Sequence, residues 1–214
     1  MVDAARPALD VSRRQQIEDA ASELFRERGY AATSVRDIAH ALDMQGGSLY
    51  AHVASKEDML WAIVTRAADH FNAEVGQIAS ATGPAAERLR GMIRAHVGVV
   101  TTTQKDAAVF LHEWRFLSQE RRGQIAARRD DYEALFRRVI ADGSATGEFE
   151  PVDARLTAMA ILSALNGIAT WYRPNGDLAP DEVADQHAEL FVRALTWAAP
   201  RTPEEPHFMT GTIT

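Results

Sequence analysis

The distribution of proline constrains this chain more than any other feature. Its eight prolines are Pro7, Pro84, Pro151, Pro174, Pro180, Pro200, Pro203 and Pro206, so residues 8–83 and 85–150 contain none. Proline breaks helix interiors but is tolerated in a first turn, which leaves room for long helices in both gaps. Apolar residues recur there at the 3.6-residue period of a helix, and the alternation of a strand is scarce. The expected fold is all-α, with about nine helices.

A chain of 214 residues makes one large or two small domains at about 100–200 residues per domain. Hydrophobic residues form 46% and charged residues 25%, a composition that excludes a disordered protein. No run approaches the roughly 18 apolar residues of a membrane span, and Met1 to Asp10 lacks the pattern of a signal peptide. The absence of cysteine excludes disulfides, thiolate metal sites and cysteine nucleophiles. A soluble, cytoplasmic protein without cofactor is expected. Its net charge is −7, and residues 1–60 carry seven Lys/Arg against ten Asp/Glu. Binding to nucleic acid would therefore rest on a local patch of cations and backbone donors.

The periodicity divides the chain into four parts: a flexible arm (1–11), a three-helix module (12–58), a six-helix domain (59–199) and a flexible tail (200–214). Helix one is expected to start at Ser12, bury Ile17, Ala20, Ala21, Leu24 and Phe25, and end at Gly29. Ser34 and Asp37 are spaced as a capping box for a short second helix. Asp43 to Gly46 reads as a tight turn, residues 47–53 as helix three, and Ser55 as the cap of a long helix four reaching about Ala81. Two short helices joined by a 3–4-residue turn form a helix-turn-helix. Later helices are expected over 84–100, 104–117, 119–142, 151–172 and from Pro180 to Trp197.

Residues 33–60, TSVRDIAHALDMQGGSLYAHVASKEDML, closely resemble the DNA-binding module of TetR-family repressors. Thr33, Val35, Ile38-Ala39, Gly47, Leu49-Tyr50 and Ser55-Lys56-Glu57 carry the match, preceded by Phe25 and Gly29-Tyr30. The resemblance implies a homodimeric repressor that binds a pseudo-palindromic DNA operator. A small-molecule effector would swing its fourth helix and misalign the two DNA-binding heads. Gln45 and Ser48 would reach base edges from helix three, where Gly46 and Gly47 let the backbone approach DNA. Gly47 would also relieve crowding against helix two. Tyr50, Lys56 and His52 would contact phosphates, as would Thr33 and Ser34 at the start of helix two, with Arg36 nearby. Gly46 and His52-Val53 depart from the lysine and the aromatic pair common in the family, which puts the recognised bases beyond inference.

Trp171-Tyr172-Arg173-Pro174 followed by Gly176 looks like the segment found in acyl-coenzyme A-responsive members. Trp171 and Arg173 would then hold an acyl thioester; the alternative is that the aromatics are bundle core and Arg173-Pro174 merely ends the helix. His96, Phe110, His112 and Trp114 are further candidates for an apolar effector pocket with a few polar groups. His112 and Glu113 point about 100° apart on a helix and are not expected to share a metal. The arginine pairs from Arg121 to Arg138 read as a solvated face, or as a receiver of coenzyme A phosphates. The apolar, small-residue helix over 154–170 suggests a dimer interface through Leu156, Met159, Leu162, Ser163 and Asn166, joined by Phe191 and Leu195. A repressor of an efflux pump responding to hydrophobic ligands is the alternative. A helical acyl-CoA-binding protein or enzyme lacks support, because no nucleophile elbow, phosphate loop, dinucleotide fingerprint or HExxH occurs.

Overall fold

The computed structural model describes residues 6–196, with side chains from residue 13 onward. Nine α-helices and no strand occur among the described residues. They are α1 (Arg6–Arg28), α2 (Val35–Ala41), α3 (Gly46–Leu49), α4 (Lys56–Ala79), α5 (Ala85–Thr102), α6 (Gln104–His112), α7 (Gln119–Thr146), α8 (Ala154–Trp171) and α9 (Pro180–Thr196), with a 3-10 turn at Trp114–Phe116.

Local chemistry accounts for most of the boundaries. Ser34 and Asp37 close the reciprocal capping box that opens α2. Ser55 caps α4 by accepting the Asp58 N–H, and Asp153 accepts two N–H bonds at the start of α8. Pro84 precedes α5 without a side-chain cap, and the Glu148 carboxylate accepts the Ala85 and Ala86 N–H groups instead, at 3.0 and 3.1 Å. Gly29 adopts the left-handed conformation (φ 83°) that ends α1.

Several boundaries differ from the sequence expectation. Helix α1 begins at Arg6 rather than Ser12, with Pro7 accommodated in its first turn, so residues 6–11 are helical rather than part of an arm. Residues 1–5, Trp197 and the tail expected over 200–214 lie outside the described residues. Helix α3 has four residues, and the chain then tightens: Ala51 and His52 donate to the carbonyls three residues earlier. In the turn before it, Asp43 rather than a glycine takes the positive φ of 52°, which a short polar side chain tolerates. The helix expected over 104–117 breaks at Glu113, and α7 continues past 142 to Thr146.

The hydrophobic core is continuous across the two parts. Ile17, Ala21, Leu24 and Phe25 of α1 meet Ile38 and Ala39 of α2, Leu49 and Val53, and the buried Met59, Leu60, Ile63 and Val64 of α4. Helix α5 packs chiefly on α9 and α4, and α7 packs on α8. A polar lock at the junction holds α1 to the larger part: Arg66 reaches Glu18 and Asp106, and the Ser22 hydroxyl donates to Asp106 at 2.6 Å. No described helix is long and apolar enough to cross a membrane.

Candidate nucleic-acid interface and effector cavity

Helices α2 and α3 form a helix-turn-helix whose inner face is fixed by buried Ile38 and Leu49. Arg36, Gln45, Gly47, Ser48 and Tyr50 are exposed on the outer side, while Gly46 and His52 are half-buried. Tyr50 is 56% exposed although it follows a fully buried leucine. An aromatic ring displayed in this way, beside short side chains at a helix start, suits contact with a nucleic-acid backbone.

Four sequence expectations meet different surroundings. Thr33 is buried, and its hydroxyl donates to the Gly29 carbonyl at 2.9 Å, so that hydroxyl braces the loop between α1 and α2. The Ser34 hydroxyl and N–H both bond to Asp37, which leaves the residue a cap. A Cβ placed on Gly46 or Gly47 would meet no atom within 4 Å, so Gly47 does not relieve crowding against α2. The Lys56 ammonium donates to the carbonyls of Tyr30 (2.9 Å) and Thr33 (2.8 Å) and lies 4.1 Å from the Tyr30 ring centre. Lys56 therefore ties α4 to the loop before α2.

The same loop is gripped from the larger part by residues that the sequence did not single out for this task. The Glu113 carboxylate accepts the Tyr30 N–H at 2.9 Å, and the Phe116 ring stacks on Tyr30 at 5.5 Å. At the start of α4, Glu57 accepts the Ser118 N–H at 3.0 Å, and Asp58 pairs with Arg121 at 2.5 Å. These bonds hold both carboxyls below the ordinary range: for Glu57 the Ser118 N–H leads, and for Asp58 the Ser55 hydroxyl leads. The partners lie more than 60 positions apart, and no local pattern signals such pairs.

A cavity of about 290 Å³ lies between α4, α5, α6, α7 and α8. Phe71, His96, Phe110, Tyr132 and Leu162 form much of its wall, with Arg129, Glu133 and Asn166 as polar members. His96 is buried, and its Nδ1 lies 2.9 Å from the Tyr132 hydroxyl. Burial lowers the His96 pKa to about 3, partly offset by the Asn166 side chain, so the ring is neutral. Burial likewise lowers Arg129, whose guanidinium lies 5.2 Å from the Phe110 ring centre and 5.4 Å from that of Trp114. Arg155, Met159 and Ser163 line the cavity while remaining exposed, which marks its open side.

The structure thus brings His96 and Phe110 to the cavity, with Trp114 behind Arg129. It places the other expected effector residues elsewhere. His112 is exposed on the outer surface. Trp171 stacks on His187 of α9 at 6.4 Å, and Arg173 donates to the Thr170 and Tyr172 carbonyls, so this segment ends α8 and does not line the cavity between α4 and α8. Met159, Leu162, Ser163 and Asn166, expected at a dimer interface, line the cavity, and Leu195 is buried within the monomer. Phe191 packs partly against the core. Leu156 alone of that set points clear of both, at 63% exposure, alongside exposed Leu190 of α9. Among the described residues, no cluster of His, Asp or Glu has the arrangement to hold a metal ion.

A helix-turn-helix head joined to a helical body with a cavity of small-molecule size defines the class of DNA-binding regulators. Residues 17–63 match the model of the tetR family of bacterial regulatory proteins, and residues 82–195 match the tetracyclin repressor-like C-terminal domain. The chain belongs to this family. It is a DNA-binding transcription factor and not an enzyme. It is 31% identical over 187 residues to the HTH-type transcriptional repressor KstR2 of Mycobacterium tuberculosis H37Rv, covering 86% of this chain and 94% of the repressor. The solved structure of the M. tuberculosis ketosteroid regulator KstR2 superposes with a TM-score of 0.82 at 30% identity, over 87% of this chain and 96% of that one. That of AibR with isovaleryl coenzyme A and operator DNA gives 0.76 at 31% identity, over 83% and 97% of the two chains.

Proposed function

We propose that this regulator represses transcription as a homodimer on a pseudo-palindromic operator and leaves it when an acyl-coenzyme A thioester binds. The cavity carries this reading, because its volume suits an acyl group and its open side bears Arg155. An engineered cavity of about 150 Å³ takes up benzene, so about 290 Å³ holds a group of roughly twice that bulk and excludes the nucleotide. The nucleotide phosphates would lie outside, within reach of Arg155 and Arg128. Likeness to AibR, solved with isovaleryl coenzyme A and operator DNA, supports the same assignment.

In the head, Arg36 and Tyr50 face the phosphates, and Gln45 and Ser48 face the base edges, with Gly46 and Gly47 leaving the approach unobstructed. The exposed outer face of α8, with Leu156, Ala160, Ala164 and Trp171, joins exposed Leu190 and Ala194 of α9 as the dimer surface. Duplexes selected from a random pool by the full chain should converge on an inverted repeat, and thioester should reduce their retention. Enrichment of only asymmetric or unrelated duplexes would overturn the operator assignment. Retention indifferent to every thioester would overturn the effector assignment.

A further inference from the structure

Three buried polar atoms of cavity-lining residues make no hydrogen bond of ordinary geometry among the described residues: His96 Nε2, which has the Asn166 side chain near it, Arg129 Nη1 and Glu133 Oε1. Buried polar atoms are paired in nearly every stable fold, so three on one cavity wall call for a ligand or for water. Their donor and acceptor roles follow from the surroundings. The Tyr132 phenol stays protonated, and its partner among the described residues is His96 Nδ1. We assign the phenol proton to Nδ1, which leaves the neutral imidazole its own proton on Nε2. The wall thus offers two donors, His96 Nε2–H and an Arg129 N–H, and one acceptor, the Glu133 carboxylate.

A hydrocarbon chain satisfies none of these atoms. A second carboxylate would serve both donors but would meet the Glu133 charge. A hydroxyl accepts from the donors and gives its proton to Glu133, and a ketone accepts from both donors. We infer that the effector's acyl group carries a neutral oxygen function, hydroxyl or ketone, on the part that enters the cavity, where His96, Arg129 and Glu133 read it. This inference rests on the reading of the cavity as an acyl-thioester site.

Calorimetric titration of the full chain can separate the two claims. The probes are cyclohexanecarbonyl-coenzyme A and its 4-hydroxy, 4-oxo and 4-carboxy derivatives, which share one ring. The hydroxy or oxo thioester should bind at least about tenfold more tightly than the plain one, as expected of a site built to hydrogen-bond an oxygen. That ratio should fall towards one in Arg129→Met, and the hydroxy preference should fall in the near-isosteric Glu133→Gln, which keeps the test open should Arg129→Met not fold. Equal binding of all four would mean that water serves the three atoms, which overturns this inference and leaves the thioester reading standing. Tightest binding of the carboxy derivative, or a preference that survives both substitutions, would also overturn it. Binding of no thioester would remove the thioester reading and this inference together.

Discussion

At the scale of single residues, Lys56 is held by the protein before DNA is present. Two of its three N–H groups bond to main-chain carbonyls, and burial lowers its pKa below that of an ordinary lysine. Hydrogen bonds from charged groups contribute about 1.5–3 kcal/mol, so Lys56→Met should destabilise the fold by about that amount. Arg36 is exposed, and Arg36→Gln should leave stability nearly unchanged while making the salt slope of operator binding shallower by about 1.8, two phosphates' worth in the homodimer. Denaturant unfolding and anisotropy titrations across salt concentrations read both effects. A stable Lys56→Met with the slope change assigned to Arg36 would return the lysine to the phosphates. Gly143 has a different constraint, because a Cβ there would strike the Phe149 ring. Gly143→Ala should cost about 1–3 kcal/mol, read as a lowered urea midpoint. The sequence showed which residues compose the head but not which were already engaged. Thr33 and Ser34 have the chemistry of phosphate ligands, and only the positions of Gly29 and Asp37 reveal that their hydroxyls are used internally.

At the scale of elements, α6, α7 and the turn that joins them reach both the cavity and the head. They bring Phe110 and Arg129 to the cavity, and Glu113, Phe116, Ser118 and Arg121 to the head. A ligand can shift the head only through different affinities for its two arrangements, and these helices join the two sites physically. Glu113→Ala should therefore shrink the ratio of operator dissociation constants with and without saturating thioester, while thioester affinity changes little. Coupling of this kind is worth about 1–3 kcal/mol, so the ratio has ample range to fall. An unchanged ratio would exclude the Glu113 contact from the route. The capped helices were legible in the sequence because a cap is local: Ser34, Ser55, Asp153 and Gly29 act within three or four positions. The break at Glu113 was not, since residues 104–117 keep a helical period and the Glu113–Tyr30 bond spans 83 positions. The division of α8 was similarly hidden. Positions 159, 162 and 166 turn towards the cavity and 156 turns outward, and apolarity alone does not separate those adjacent faces.

At the scale of the whole molecule, stability should depend on pH through the histidine in the cavity wall. Burial gives His96 a folded pKa of about 3 against an ordinary 6.5, so between these values the unfolded chain binds the extra proton. Stability is then complete above about pH 6.5 and falls as the pH drops towards 3, by up to about 1.4 kcal/mol per pH unit from this group. The lowered carboxyls of Glu57, Asp58 and Glu148 act in a different window. Their contribution is present above the ordinary carboxylate values and is lost only as the pH falls below them. A decline between pH 6.5 and 5 therefore precedes the acid loss of the ion pairs, and His96→Gln should flatten it. Urea midpoints at half-unit intervals, with a constant transition slope, would measure the difference. A His96→Gln profile parallel to that of the wild type would show that the imidazole is not held neutral.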